Sequence, residues 1–406
     1  MTPSPNATDP LNLVLNRRPA PFVPVATVYE GLGPLEFHRM ALRWRKWHNL
    51  LDRARADRLP VDYDTYLELE LSIHTTIIET CYPPPGWLSL PANTTPSEIA
   101  GAQVVRRGAD LYWASPDGRE TWLAPDRIAY HARQASERSL HFAGLWERGH
   151  RADRIEDLDC KKDPPSTPHE PDDTEVEADL ASGRYDLAQA LLERYPGQLP
   201  FYTYDSSPYN SLLGLLGFQG MMAALIEEPE RAHRILAAKL PQPSAHLAAA
   251  RALGVRIVFV EECLASADLI SPAMYREFVS PYTKQALAFY EERGFRTVLY
   301  FSGNLMPLLD DLEQLPFTAL AFEEDRKNYG IDLARVRLAI GPDRVLFGNV
   351  DAPFIEHASD EDLLAEVRRQ MDTAGPDRFV LSAGSPLTPN TPLERVRLFC
   401  QSTRLI

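Results

Sequence analysis

Several short apolar runs in this chain end in polar residues, and those ends are where it can do chemistry. TVLYFSG runs out at Ser302 and Asn304, ALAFEE at Glu323 and Glu324, and VLFGNVD at Asn349 and Asp351. Upstream, LPFYTYDS carries Tyr202, Tyr204 and Asp205, and RIVFVEE delivers Glu261 and Glu262 just before Cys263. Near the C-terminus, FVLSAGS supplies Ser382 and Ser385. Carboxylates converging on an apolar cavity push some of their own pKa values up, which suits general acid–base work. Successive side chains on a strand point to opposite faces, so only about half of each group can share one side. Gly303, Gly348 and Gly384 each stand at the end of a run, where a backbone must turn tightly or let something approach closely.

The elements that would position these residues follow from the rhythm of the sequence. Between the runs lie helical stretches, the longest at 208–238, with Gly217 and Gly220 as possible breaks, and at 271–293; others start near 306, 331, 359 and 391. Ser359-Asp360-Glu361-Asp362 is a good N-cap, and Thr391-Pro392 puts proline in a first turn. Short buried strands alternating with helices predict βαβ units around a parallel sheet. Six strands fall after residue 198; one or two from the first half bring the total close to eight, and a (β/α)8 barrel is the natural closure. In such a barrel the strand C-termini carry the active site.

The first half is less regular. Residues 1–35 read as an extended arm, 34–58 as an amphipathic helix, 59–64 as a candidate first strand and 75–82 as a further apolar segment. AQVVRRGADLYWASPDGRETWL alternates around a Pro116-Asp117-Gly118 turn, the mark of a β-hairpin. Residues 163–179 are acidic and proline-rich and read as a surface loop. The expected division is an arm and helix over 1–58, then a barrel over 59–406 with an inserted cap and acidic loop at about 83–180.

Composition sets outer limits. The 406 residues are 44% hydrophobic, enough for one large core. The net charge of −15, with Lys and Arg dispersed, would repel nucleic acid. No run approaches the ~20 apolar residues a membrane helix needs, and the first residues lack the apolar core of a secretory signal, so a cytoplasmic protein is expected. Cys81, Cys160, Cys263 and Cys400 make no CxxC pair. No strand end carries a His, so a zinc site is not expected. No Walker loop, GxGxxG turn or GxSxG elbow stands at a strand-to-helix junction, so phosphate-bearing cofactors have no support.

A set of segments does carry a resemblance. SPYNSLLGLLGFQGMMAALIEEPERAHRIL, ADLISPAMYREFVSPYTKQ, FSGN, VLFGNVDA and LSAGSPLTPNTPLERVRLF, in this order and spacing over 202–399, resemble the uroporphyrinogen decarboxylase superfamily, which includes the methylcobamide:thiol methyltransferases. The resemblance implies a TIM barrel of the uroporphyrinogen decarboxylase-like type, here with an N-terminal helical and β-hairpin insertion. It also implies that Tyr300, Ser302 and Ser385 stand where the methyltransferase branch holds its zinc ligands. The Arg-rich N-terminal motif of the decarboxylase branch has no counterpart here.

These observations lead first to a metal-free, decarboxylase-like lyase acting on a small organic acid or heterocycle, without a cofactor. Glu261, Tyr300 and Asp351 would be its proton donors or acceptors. Tyr202, Tyr204, Asp205, Glu262, Ser302, Asn304, Glu323, Asn349 and Ser385 would bind substrate. Two alternatives stay open: a zinc-less corrinoid-dependent methyltransferase or demethylase, using cobalamin on a partner corrinoid protein, and a non-catalytic binding protein on this fold. Membrane and nucleic-acid partners are not expected, and a homodimer is an open alternative to a monomer.

Overall fold

The computed structural model describes residues 9–28, 34–80, 87–124, 155, 169–325, 329–388 and 390–406. Its organising element is a seven-stranded, all-parallel sheet. The strands are β2 (Leu88–Ser89), β6 (Phe201–Ser206), β7 (Ile257–Glu262), β8 (Arg296–Phe301), β9 (Ala319–Phe322), β10 (Val345–Phe347) and β11 (Phe379–Val380), in the order β11-β10-β9-β8-β7-β6-β2. The last six fall within the runs that the sequence marks out. Their Val, Ile, Leu and Phe content is that of strands covered on both faces.

Alternation along each strand sorts the side chains. Tyr202, Ile257, Phe259, Val298, Tyr300, Ala321, Phe347 and Val380 make one buried cluster on the concave side. Val258, Val260, Leu299, Phe301, Leu320, Phe322 and Leu346 face the opposite way and pack in the larger core with the surrounding helices. The sheet is curled enough for side chains near its two ends to touch across the concave side. The Trp87 ring, one residue before β2, lies 5.3 Å from that of Phe347 on β10 and 4.6 Å from that of Tyr202.

The residues read as an extended arm are partly helical. α1 (Pro10–Leu15) is capped by Asp9, whose carboxylate accepts from the backbone N–H of Leu11 and Asn12, and it buries Leu11, Val14 and Leu15 under the concave cluster. Burial raises the Asp9 carboxyl to about 7. Beyond α1, the Ala26 N–H donates to the Leu381 carbonyl and the Leu381 N–H to that of Pro24, both at 2.9 Å. The Trp87 indole N–H donates to the Thr27 carbonyl at 2.8 Å. This stretch holds no strand signal beyond VPVATV, too short and too close to prolines to stand out.

The candidate strand at 59–64 belongs elsewhere. β1 (Arg58–Pro60) pairs antiparallel with β3 (Gln103–Arg107), which continues through β4 (Asp110–Ala114) and β5 (Glu120–Ala124) as a separate four-stranded sheet. The β4–β5 hairpin turns at the Pro-Asp-Gly site, as the alternation predicts. This sheet packs on α2 (Pro34–Ala54) around Trp47, Leu51, Val104 and Leu111. The apolar segment at 75–82 falls largely in α3 (Tyr63–Thr80), a helix whose apolar positions repeat too unevenly to be read as one from sequence. Between α2 and α3, the Arg43 guanidinium clamps Glu70 through Nε (2.8 Å) and Nη2 (2.6 Å). His74, one turn along α3, donates from Nδ1 to the Glu70 carbonyl at 2.9 Å.

Residues 163–168 of the expected acidic loop, Cys81 and Cys160 lie outside the described residues. The rest of that loop is partly ordered, since Asp172 caps a helix at Asp173–Leu180 through a capping box. The long helical region at 208–238 is two helices, Pro208–Glu227 and Pro229–Ala238, and the first contains one non-helical residue, Gly217. Among the described residues, Pro208–Glu227 is the one helix long and apolar enough to cross a bilayer by length and composition. In this fold it packs against β7, the Pro229–Ala238 helix and the Ser280–Glu292 helix.

Candidate active site at the strand ends

The concave side is closed below by aromatics and polar above. Trp87, Tyr202, Phe259, Tyr300 and Phe347 form a buried floor, with Phe259 and Tyr300 stacked at 5.6 Å. By the same alternation, the next inward positions are Tyr204, Glu261, Ser302, Glu323 and Asn349. Tyr204 is 51% exposed, with its ring stacked 6.2 Å above that of Phe259.

Glu261 is the centre of this layer. One of its carboxylate oxygens accepts from the Tyr204 hydroxyl, and the other accepts from the Cys263 thiol at 2.8 Å. Burial, and then the Glu261 charge, push the Tyr204 phenol far above its ordinary range, so it stays a donor. The Cys263 N–H is held by the Asn210 side chain at 3.3 Å. A carboxylate between a phenol and a thiol, at an accessible rim, can receive a proton from a substrate or pass one to it. Cys263 follows Glu261 by two residues and so shares its side; that spacing was the available signal for this cluster.

Glu323 is tied into the rim, with one oxygen accepting from the Gly303 N–H at 3.0 Å. Gly303 sits at φ +88°, and a Cβ there would lie 2.4 Å from Ser266 Oγ, so only glycine fits. Asn349 donates to the Glu323 carbonyl at 3.3 Å, and its own N–H is held by Gln370 at 3.2 Å. Asn304 caps the turn that follows β8, its side chain accepting from the Met306 N–H and its own N–H donating to Asp268. Asp351 is exposed at the start of the Ala352–His357 helix.

Several of the sequence candidates are placed away from this layer. Tyr202 and Tyr300 belong to the floor. The Tyr300 hydroxyl reaches across to donate to the Gly384 carbonyl at 2.9 Å, a buried hydrogen bond. Asp205 points outward and accepts from Tyr290, and burial raises its pKa. Glu262 also points outward and is fully buried. Burial lifts it to about 7 against the hydrogen bonds from Thr283 (2.8 Å) and Ser207, which lower it. Ser385 is buried and donates to Glu324 at 2.9 Å. What comes close to Gly384 is the protein itself: a Cβ there would lie 2.3 Å from the Glu324 N–H nitrogen.

This geometry bears directly on metal. Tyr300, Ser302 and Ser385 offer hydroxyls, two of which are already committed to Gly384 and Glu324. They do not fit a zinc ion, which takes thiolate, imidazole or carboxylate ligands. Among the described residues, no three His, Cys, Asp or Glu side chains gather closely enough to hold a metal.

Comparison with known proteins places this architecture. The family model for uroporphyrinogen decarboxylase (URO-D) matches residues 161–405. A methylated-thiol–coenzyme M methyltransferase of Methanosarcina mazei is 24% identical over 214 residues, 53% of this chain and 55% of that protein. The uroporphyrinogen decarboxylase of Pongo abelii is 23% identical over 256 residues, 60% and 65% of the two chains. The methylcobamide:CoM methyltransferase MtaA of Methanosarcina barkeri is 28% identical over 144 residues, 36% and 40%. The matches thus span 40–65% of these relatives' lengths. A solved methyltransferase from Methanosarcina mazei superposes with a TM-score of 0.59 at 18% identity, covering 98% of both chains, which establishes a shared fold. With the family match running from the acidic loop to the last helix and the fold shared over the whole length, the chain belongs to the uroporphyrinogen decarboxylase family.

Proposed function

We propose that the protein is an enzyme that moves a methyl group between a small methylated substrate and a corrinoid carried by a separate protein, without zinc. The observation that carries this reading is Glu261 held between the Tyr204 hydroxyl and the Cys263 thiol at the exposed rim. The methyltransferases among the relatives support the direction, and the hydroxyls at Tyr300, Ser302 and Ser385 support a mechanism that does not rest on metal. When bound, the corrinoid supplies the methyl acceptor. Tyr204 and Asp351, exposed at the rim, would face it.

The chain's own residues manage the proton. As the methyl group leaves an oxygen, nitrogen or sulfur atom, the bonding pair stays on that heteroatom, which takes a proton relayed from solvent through Glu261. Tyr204 and Cys263 hold that carboxylate in place. The aromatic floor excludes water from below. In the reverse direction Glu261 is the base. Decarboxylation of an organic acid is less well served. The strand ends at 202–206, 261–263, 300–304, 323–325, 349–351 and 382–385 carry several carboxylates and no Lys or Arg to hold an anionic substrate. The same reading takes 24–26 as the eighth strand of a closed barrel, on the strength of its hydrogen bonds to Leu381.

The test is the visible spectrum of cob(I)alamin incubated with the protein and a panel of methylated amines, aryl methyl ethers and thioethers. At least one donor should methylate the corrinoid, and Glu261→Gln should slow it by about 10²- to 10⁴-fold, the range of a lost acid–base group. A flat spectrum with every donor, alongside carbon dioxide release from a carboxylic acid, would replace this reading with the lyase.

A further inference from the structure

A cavity of about 310 Å³ opens on the outer side of the sheet, where β2 meets α2 and α3. That volume is at the small end of the range for small-molecule sites. Ile77, Leu90, Leu191 and Phe201 give it apolar walls. One end is polar. Arg39 and Arg43 stand one turn apart on α2, and Glu70 and His74 one turn apart on α3.

The donors and acceptors at that end are not all used. Arg43 is spent on Glu70. Arg39 gives Nη2 to Glu36 in a pair with side chains 28% and 19% exposed. That pair is half-buried and uses one of the five guanidinium N–H groups, which leaves Arg39 further donors for a ligand anion. His74 must donate from Nδ1, because its partner there is a carbonyl oxygen. In the neutral ring Nε2 is therefore an acceptor, and the described residues offer it no hydrogen-bond donor. A buried ion pair beside a neutral imidazole contributes little stability over apolar packing, and here it lines an empty space.

We propose that this cavity is a second small-molecule site that takes a hydroxy carboxylate with a compact apolar body. The carboxylate sits on Arg39, the hydroxyl donates to His74 Nε2, and the body lies against Ile77, Leu191 and Phe201. The site is one strand from the candidate active site, since Ser89 of β2 pairs with Tyr202 of β6, the strand that carries Tyr204. It does not depend on the reaction assigned to that rim.

The test is calorimetric titration of the full chain at pH 7 with mandelate, with mandelamide (no charge) and with phenylacetate (no hydroxyl). Mandelate should bind at least tenfold more tightly than either analogue. Arg39→Gln, at a half-buried position of α2 on the cavity wall, should weaken mandelate tenfold or more. Ala92→Phe, at the exposed lip of the cavity, should do the same without moving the thermal unfolding midpoint. No binding of mandelate at millimolar concentration, equal binding of all three probes, or undiminished binding by both variants would overturn the proposal.

Discussion

On acidification from pH 7 to 5 one imidazole, His74, should contribute a loss of stability to this fold. Burial, then the charge of Arg39 and, more weakly, Arg43, lower its pKa from 6.5 to about 4; the Glu70 charge and carbonyl oppose them. Its side chain is 13% exposed, so solvent screens little of this. In the unfolded chain the ring takes up a proton below 6.5, whereas in the folded protein it resists until about 4. Stability is therefore lost as pH falls through that window, by about 2 kcal/mol between 6.5 and 5 and about 3 kcal/mol by pH 4. Glu70, held below its ordinary value by Arg43 despite its burial, keeps its stabilising charge over most of the range and begins to lose it only as pH falls through its lowered pKa. Glu262 and Asp9, both raised to about 7 by burial, act in the opposite sense: their contribution is complete in acid and is lost as pH rises through about 7. The assay is therefore a difference, urea unfolding of wild type and of His74→Gln at half-unit steps from pH 7.5 to 4.5. Glutamine can still donate to the Glu70 carbonyl but does not titrate. The wild type should lose about 2 kcal/mol more than the variant on going to pH 5. Parallel curves would show that His74 is not the desolvated ring described here.

Three further outcomes follow from the site's framework. Trp87→Ala should cost about 3–5 kcal/mol by chemical denaturation, because it empties the centre of the aromatic floor where Tyr202, Phe259 and Phe347 meet. Gly303→Ala should lower the thermal midpoint sharply and reduce turnover with it, since it combines a left-handed φ with a clash against Ser266 and disturbs the N–H that holds Glu323. Tyr300→Phe should cost about 1–2 kcal/mol, the value of a buried hydrogen bond lost at the Gly384 carbonyl, while changing turnover far less than Glu261→Gln. A Tyr300→Phe enzyme as inactive as Glu261→Gln would return Tyr300 to the proton-transfer role that its place in the sequence suggests.

The parallel strands after residue 198 were legible because each is a run of branched and aromatic residues that ends at a turn. Alternation from Phe259 to Glu261 already put the floor and the rim on one side. Direction was harder to read. Asp205 and Glu262 look like rim residues in one dimension, yet their parity turns them toward Tyr290 and Thr283. Outside the hairpin strands β3 to β5, the first half was less readable because β1 and β2 are three and two residues long. Leu88–Ser89 gains its place from hydrogen bonds to Pro200 and Tyr202, and Val25 from Leu381. Such pairing leaves no periodicity in the segments themselves. The 310 Å³ cavity was invisible for the same reason, since α2, α3 and β2 meet only in three dimensions.

The contact between residues 23–28 and the C-terminal segments also constrains how the chain can fold. Thr403 donates to the Val23 carbonyl at 2.7 Å across 380 residues of sequence, and Leu381 holds Pro24 and Ala26. During synthesis the N-terminal segment must wait, unpaired, until nearly the whole chain has left the ribosome. Until then the backbone at Leu381, beside β11, presents an open strand edge, the state in which long-range parallel pairing is slow and prone to aggregation. Shortening the C-terminal helix should therefore act first on folding yield, and only then on the stability of whatever has folded.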